Sequence, residues 1–158
     1  MGVVTRTTPT IVTASGVNGL QFIDEADAVN KLVPELKAKG VQAIVVLVHE
    51  GGNVTGLYNE CAGLTGPIAD IMNRLDEEVD VVISGHSHVG YNCAYTGRVL
   101  TQSASFGRLV GKIDVTLDKT TGEVTKMTAD NIIATRTVDK DPVETKLIGD
   151  YKTAAGPI

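Results

Sequence analysis

The segment that most constrains the fold runs from Val79 to His88: Val-Asp-Val-Val-Ile-Ser-Gly-His-Ser-His. A β-branched apolar run stops at a glycine and delivers two histidines, i and i+2. Such a run suits a strand buried in a parallel sheet. Ligand-binding groups in open α/β sheets lie just past the carboxyl ends of strands. Gly85 allows a sharp turn and the close approach of another group. The chain has only three histidines, and the third, His49, ends a second apolar run over 41–48. Apolar segments alternating with helices argue for βαβ crossovers and a parallel sheet, which would bring His49 and His86 to the same edge of adjacent strands.

The intervening sequence fits that reading. Asp24 is a plausible helix cap, with Glu25 and Asp27 in the first turn, where carboxylates favour the helix dipole. Val29, Leu32, Val33 and Leu36 then recur at helical spacing. Pro34 inside this helix predicts a kink, and Lys37, Lys39 and Gly40 predict its end. After His49 comes a Gly- and Asn-rich stretch, 50–65, whose length marks a functional or disordered loop. Gly66-Pro67 opens a second helix, with Pro where its missing N–H costs nothing. Ile68, Ile71, Met72 and Leu75 form its apolar face. The segment 1–13 reads as a short strand, a turn at Thr8-Pro9 and further extended chain.

Beyond Tyr91 the pattern changes. Segments 98–103, 108–117 and 123–135 read as antiparallel strands, with a turn at 119–122. Residues 112–117 alternate polar and apolar, so one face of that strand is wet. Asp141-Pro142 opens a last short helix, with Val143, Leu147, Ile148 and Tyr151 on one side, and 153–158 reads as a fraying end or a linker. The fold class expected is α/β, with parallel strands first and antiparallel strands after.

Three imidazoles at strand ends suit Zn, Mn, Fe, Co or Ni, and the i, i+2 pair can serve two ions ~3.5–4 Å apart. Two dications at 4 Å repel by roughly 16 kcal/mol at an effective dielectric of 20, so such a pair needs a bridging carboxylate. Asp70, Asp76, Asp80, Asp114 and Asp118 all sit on elements that do not suit that role. Gly51-Gly52 reads either as a cradle of N–H groups for a phosphate or as a hinge. Arg98 and Arg108 read either as contacts for an anionic substrate or as solvated strand-edge charges.

Other chemistries are excluded more firmly. The stretch 85–89 misses the G-x-S-x-G elbow at its last residue, and no acid-then-histidine pair follows Ser87. Neither a P-loop nor a dinucleotide fingerprint is present. A net charge of −5 argues against a nucleic-acid polymer as partner. No apolar stretch reaches the ~18 residues of a membrane span, and the first residues hold no signal-peptide core.

Val-His-Glu-Gly-Gly at 48–52, Ser-Gly-His-Ser-His at 84–88 and Ser-Phe-Gly-Arg-Leu-Val at 105–110 together resemble the bacterial 5′-nucleotidase family of calcineurin-like metallophosphoesterases. Gly-Val-Val-Thr and Thr-Thr-Pro within 2–9 extend the likeness over nearly the whole chain. The resemblance implies part of a four-layer α/β/β/α sandwich, with 1–158 as the second half of the catalytic domain. It implies a two-metal centre that hydrolyses nucleotide or other phosphate esters, with His49 and His86 on one divalent ion and His88 on the other. The family's Asp-x-His, bridging Asp and Asn-His motifs do not occur here. No complete catalytic set is therefore expected, and the chain alone should be inactive and prone to self-association. A non-catalytic α/β interaction domain is the alternative. The resemblance also implies an exported parent protein, in an oxidising compartment where Cys61 and Cys93 could pair across neighbouring loops.

Overall fold

The structure, a computed structural model, describes residues 1–95 and 97–156. A five-stranded sheet has the order β1-β2-β3-β5-β4, built from β1 (Gly2–Val4), β2 (Val45–His49), β3 (Val81–Ser84), β4 (Gly90–Tyr95) and β5 (Arg98–Ser103). β1, β2, β3 and β5 run parallel; β4 is an antiparallel edge paired with β5. This corrects the reading of 98–103 as purely antiparallel. β5 leaves its hairpin with β4 and inserts beside β3, where its apolar residues are covered. A second, two-stranded antiparallel sheet comprises β6 (Leu109–Leu117) and β7 (Val124–Ile133). Its turn closes with Asp118 Oδ1 accepting the N–H groups of Thr120 and Thr121, both at 2.8 Å.

Helices α1 (Glu25–Ala38) and α2 (Pro67–Arg74) cover one face of the large sheet. Val46, Val82, Leu100 and Cys93 are paired in register across four strands, and all are buried. With Val29, Val33, Ile68, Ile71 and Met72 they form the core. α1 is continuous through Pro34. Its buried stripe is Ala26, Val29 and Val33; Leu32 faces water, against the expectation from spacing. Side chains satisfy the start of α1 and the end of α2. Asp24 Oδ1 accepts from Ala26 and Asp27 N–H. At the end of α2, Asn30 Nδ2 donates to the Arg74 carbonyl (2.8 Å) and Arg98 donates to that of Leu75 (3.2 Å).

The opposite face of the large sheet is covered only in part. Asn131 of β7 is buried and binds across it. Its Nδ2 donates to the carbonyls of Tyr58, Tyr91 and Gln102, and its Oδ1 accepts from Ser103 Oγ. Farther from β7, Val4, Val45, Leu47 and Ile83 remain exposed, with Leu47 at 54%. Strand β2 is therefore not buried on both faces as its apolar run predicts. Helices, large sheet and small sheet give three of the sandwich's layers.

Three other expectations change. The apolar run 41–48 enters the ladder only at Val45, because the Ile44 N–H and carbonyl pair with Asp80 instead. The chain after Thr8-Pro9 makes two short 3-10 turns, Thr8–Thr10 and Ala14–Val17, rather than extended structure. The last helix, α3 (Pro142–Ala155), includes Thr153–Ala155, and all of its residues are exposed. Pro157 and Ile158 lie outside the described residues.

Candidate metal centre

His49 ends β2, and His86 follows β3 by two residues. Because those strands are parallel neighbours, both rings stand at the same sheet edge. His86 Nδ1 lies 3.3 Å from His49 Nε2, with ring centroids 5.1 Å apart. Both rings are exposed.

The turn that delivers His86 is unusual. Ser87 N–H donates to the Gly85 carbonyl at 2.8 Å, and His86 between them has φ 68°. That is a γ-turn with positive φ, a rare and strained form. The described residues hold four non-glycine residues with positive φ: His86, His88, Ala104 and Phe106. They occupy the two turns that follow β3 and β5. Each costs on the order of 1–3 kcal/mol, and such strain persists where the surroundings over-determine it.

Here the surroundings are identifiable. Tyr91 OH donates to Gln102 Oε1 (3.2 Å), Gln102 Nε2 to Ser87 Oγ (2.9 Å), and Ser87 Oγ to the Gly52 carbonyl (2.8 Å). This chain of hydrogen bonds runs from the core to the loop after His49 and clamps the two histidine-bearing turns together. Burial pushes the Tyr91 phenol above its ordinary value, so it stays a neutral donor. Ser87 is thus a clamp, not a nucleophile.

The same packing decides the role of Gly51-Gly52. Both are buried. A Cβ on Gly51 would stand 2.3 Å from the Gly85 carbonyl oxygen and 2.5 Å from Ser87 Oγ; one on Gly52 would stand 2.3 Å from the Thr65 carbonyl oxygen. The pair is glycine because two backbones meet there. It is neither an open phosphate cradle nor a hinge.

The loop 50–65 is ordered. Asn53 and Thr65 exchange backbone hydrogen bonds, Thr55 N–H donates to the Ala62 carbonyl, and Cys61 is disulfide-bonded to Cys93 with Cα atoms 5.0 Å apart. Closing a loop of that size stabilises by roughly 3–4 kcal/mol in the chain-entropy model. Asn59 extends the tie to the second sheet: its Oδ1 accepts the Asn131 N–H at 2.7 Å. No periodicity or motif singles out Asn131 or Gln102; only the fold reveals them.

The remaining candidates separate. His88 does not join the pair; its ring meets Phe106 edge-on at 5.5 Å. Arg98 is 8% exposed and caps α2, so neither reading of it as a substrate contact or a solvated charge holds. Arg108 is exposed, with its guanidinium 5.5 Å from the Phe106 centroid.

Two imidazole nitrogens 3.3 Å apart can converge on one ion, and imidazole suits divalent transition metals. A third ligand is missing: among the described residues, no three His, Cys, Asp or Glu side chains are placed to hold an ion. The carboxylates are committed elsewhere. Asp70 pairs with Arg74, and Asp114 with Lys112. Asp76 accepts from Glu78 N–H, Asp80 from Ile44 N–H, and Asp118 from its own turn. The residues present fit part of a centre and not a whole one.

No family model matches the chain. Individual proteins do. It is 35% identical over 159 residues to the endonuclease YhcR of Bacillus subtilis, covering 100% of this chain and 13% of that protein. It is 35% identical over 130 residues to the cell wall protein Lmo0130 of Listeria monocytogenes, covering 78% of this chain and 17% of that one. The chain therefore spans less than a fifth of the length of these relatives. Among solved structures, a Bacillus subtilis calcineurin-like phosphoesterase, YfkN, superposes with a TM-score of 0.71 over 95% of this chain and 49% of that one, at 22% identity. A Staphylococcus aureus protein described as a candidate 5′-nucleotidase superposes with a TM-score of 0.69 over 95% of this chain and 30% of that one, at 20% identity. The chain is thus similar in sequence to a stretch of YhcR and of Lmo0130, and it shares the fold of the solved calcineurin-like phosphoesterase and 5′-nucleotidase-type structures.

Proposed function

We propose that residues 1–158 are the second half of the catalytic domain of a metal-dependent phosphohydrolase that cleaves nucleotide or related phosphate esters. His49 and His86 would hold one divalent ion and His88 a second, with the remaining ligands supplied from outside the chain. The observation that carries this reading is the 3.3 Å approach of two imidazole nitrogens at the carboxyl ends of adjacent parallel strands. Such ions, when bound, polarise a phosphoryl group and activate water. The chain's own contribution is geometric: the Ser87–Gln102–Tyr91 clamp orients the histidine turns before any ligand arrives.

The name of YhcR denotes an endonuclease, but a chain with net charge −5 lacks the basic surface that binds a phosphate polymer. A small phosphate ester is the better substrate. Export of the parent protein is supported by the Cys61–Cys93 bridge, which suits an oxidising compartment, and by the kinship with a cell wall protein.

The test combines binding and turnover. Calorimetry with Mn²⁺ or Zn²⁺ should show weak binding that His86→Ala removes. AMP, a cyclic nucleotide and single-stranded DNA should all survive incubation with the chain and excess Mn²⁺. Turnover that His86→Ala abolishes would overturn the incompleteness. Absence of metal binding would overturn the ligand assignment and favour a non-catalytic interaction domain. The bare sheet face at Val4, Val45, Leu47 and Ile83 gives that second reading its support.

A further inference from the structure

Asn131 is the one buried residue of the small sheet, at 1% exposure. Two hydrogens on its Nδ2 are shared among three carbonyls, those of Tyr58 (2.8 Å), Tyr91 (3.0 Å) and Gln102 (3.1 Å). Its Oδ1 accepts from Ser103 Oγ at 2.7 Å. The place demands donors and an acceptor on one planar group, which a carboxamide has and a carboxylate lacks. Gly111, paired with Asn131 in the ladder, makes room for this. A Cβ there would stand 2.5 Å from Ser103 Oγ, the hydroxyl that orients the amide.

The partners are the informative part. Tyr91 and Gln102 face each other across β4 and β5, and both are links of the clamp that ends on Ser87. Tyr58 lies in the loop that follows His49. Fastening one sheet to the other does not require these bonds. Asn92 Nδ2 donates to the Ala129 carbonyl, and Asn59 Nδ2 donates to the Asn131 carbonyl at 3.1 Å. The Asn131 side chain instead spends its hydrogen bonds on the backbones that carry the clamp.

We propose that Asn131 is a positioning residue for the imidazole pair. Its carboxamide fixes the Tyr91 and Gln102 backbones, Gln102 holds Ser87, and the Ser87 turn holds His86 beside His49. The small sheet thus sets the geometry of a site to which it lends no histidine. The consequence for a metal rests on the ligand reading of the pair; the consequence for the rings does not.

Both consequences are measured on the whole chain, where urea melts show each variant to be folded. His49→Ala and His86→Ala assign the ring signals by NMR. In the metal-free parent, cross-relaxation should join the His49 and His86 ring protons. Asn131→Asp keeps the size and the acceptor and removes the donors, and it should lose that cross-relaxation. Val29→Ala, a core cut away from the clamp, should retain it. Zinc affinity by calorimetry should fall about tenfold or more in Asn131→Asp, the range for residues that support a ligand, and should hold in Val29→Ala. Gln102→Leu should weaken zinc by a like factor. The double variant should be no weaker than the weaker single, because both changes break one clamp. Ring contact and zinc affinity unchanged in folded Asn131→Asp would overturn the proposal, as would losses that multiply in the double variant. If Asn131→Asp does not fold, Ser103→Ala replaces it: freeing the amide to turn should weaken the ring contact, and an unchanged contact overturns the proposal. A parent without ring contact overturns it as well. A parent with ring contact that binds no zinc overturns the ligand reading alone, and the ring contact in the variants still decides the role of Asn131.

Discussion

At the residue scale the site depends on an atom that is absent, the Cβ of Gly51. Adding it would drive a methyl group to 2.3 Å from the Gly85 carbonyl oxygen, a backbone atom that cannot swing aside. Gly51→Ala is therefore expected to destabilise the chain by about 1–3 kcal/mol, as overpacking does, and to part the two histidine turns. Urea unfolding checks the first effect, and loss of the metal-binding heat checks the second. Gly122, where an added Cβ meets only the Gln42 side chain at 3.4 Å, is a milder site, though its φ of 79° still disfavours a side chain there. Sequence alone marks Gly51-Gly52 as special without saying why. The reason is the distance between two loops 34 positions apart in the chain, which no local pattern encodes.

At the element scale, much of the fold is legible because helices and strands announce themselves locally. The Asp24 cap, the Gly66-Pro67 start, the apolar face of α2 and the turn at 119–122 all follow from side-chain chemistry. What is not legible is which strand neighbours which. The run 98–103 has the same composition whether it lies at an edge or between β3 and β4. Leu32 shows the same limit: helical spacing says it shares a stripe with Val29, but the stripe's width is set by the sheet beneath. Asp24 also carries a pH effect. The Arg74 hydrogen bond, chiefly, and the N–H groups of Asp27 and Ala26 hold its carboxyl below the ordinary 3.8. A folded pKa below the unfolded one gives stability that is present above 3.8 and is lost as pH falls through the lower value. Asp24→Asn keeps an acceptor for the cap and removes the charge. It should cost about 0.5–1 kcal/mol at neutral pH, the range for a partly exposed pair. That cost should vanish in the acid limb. Urea melts of both forms from pH 7 down to pH 3 would display the convergence.

At the scale of the molecule, the sheet is dressed on one side and half dressed on the other. Helices cover the Val46–Val82–Leu100–Cys93 row, while Val4, Val45, Leu47 and Ile83 look outward beside His49. Exposed apolar patches of this kind mark interfaces or aggregation sites. The isolated chain is expected to associate with itself through this face. Sedimentation velocity over a concentration series should show growing assemblies for the parent chain and a shift toward monomer for Leu47→Lys. A concentration-independent monomer for the parent would remove the idea.

The Cys61–Cys93 bond has a consequence for how the chain can come apart. It turns residues 61–93 into a covalent ring that contains α2, β3, His86 and His88, while His49 stays on the arm outside. Within that ring trypsin has one basic residue to cut after, Arg74. A nick there opens the ring without dividing the molecule: the two polypeptides remain one body until a reductant is added, and the histidines remain on opposite sides of the cut.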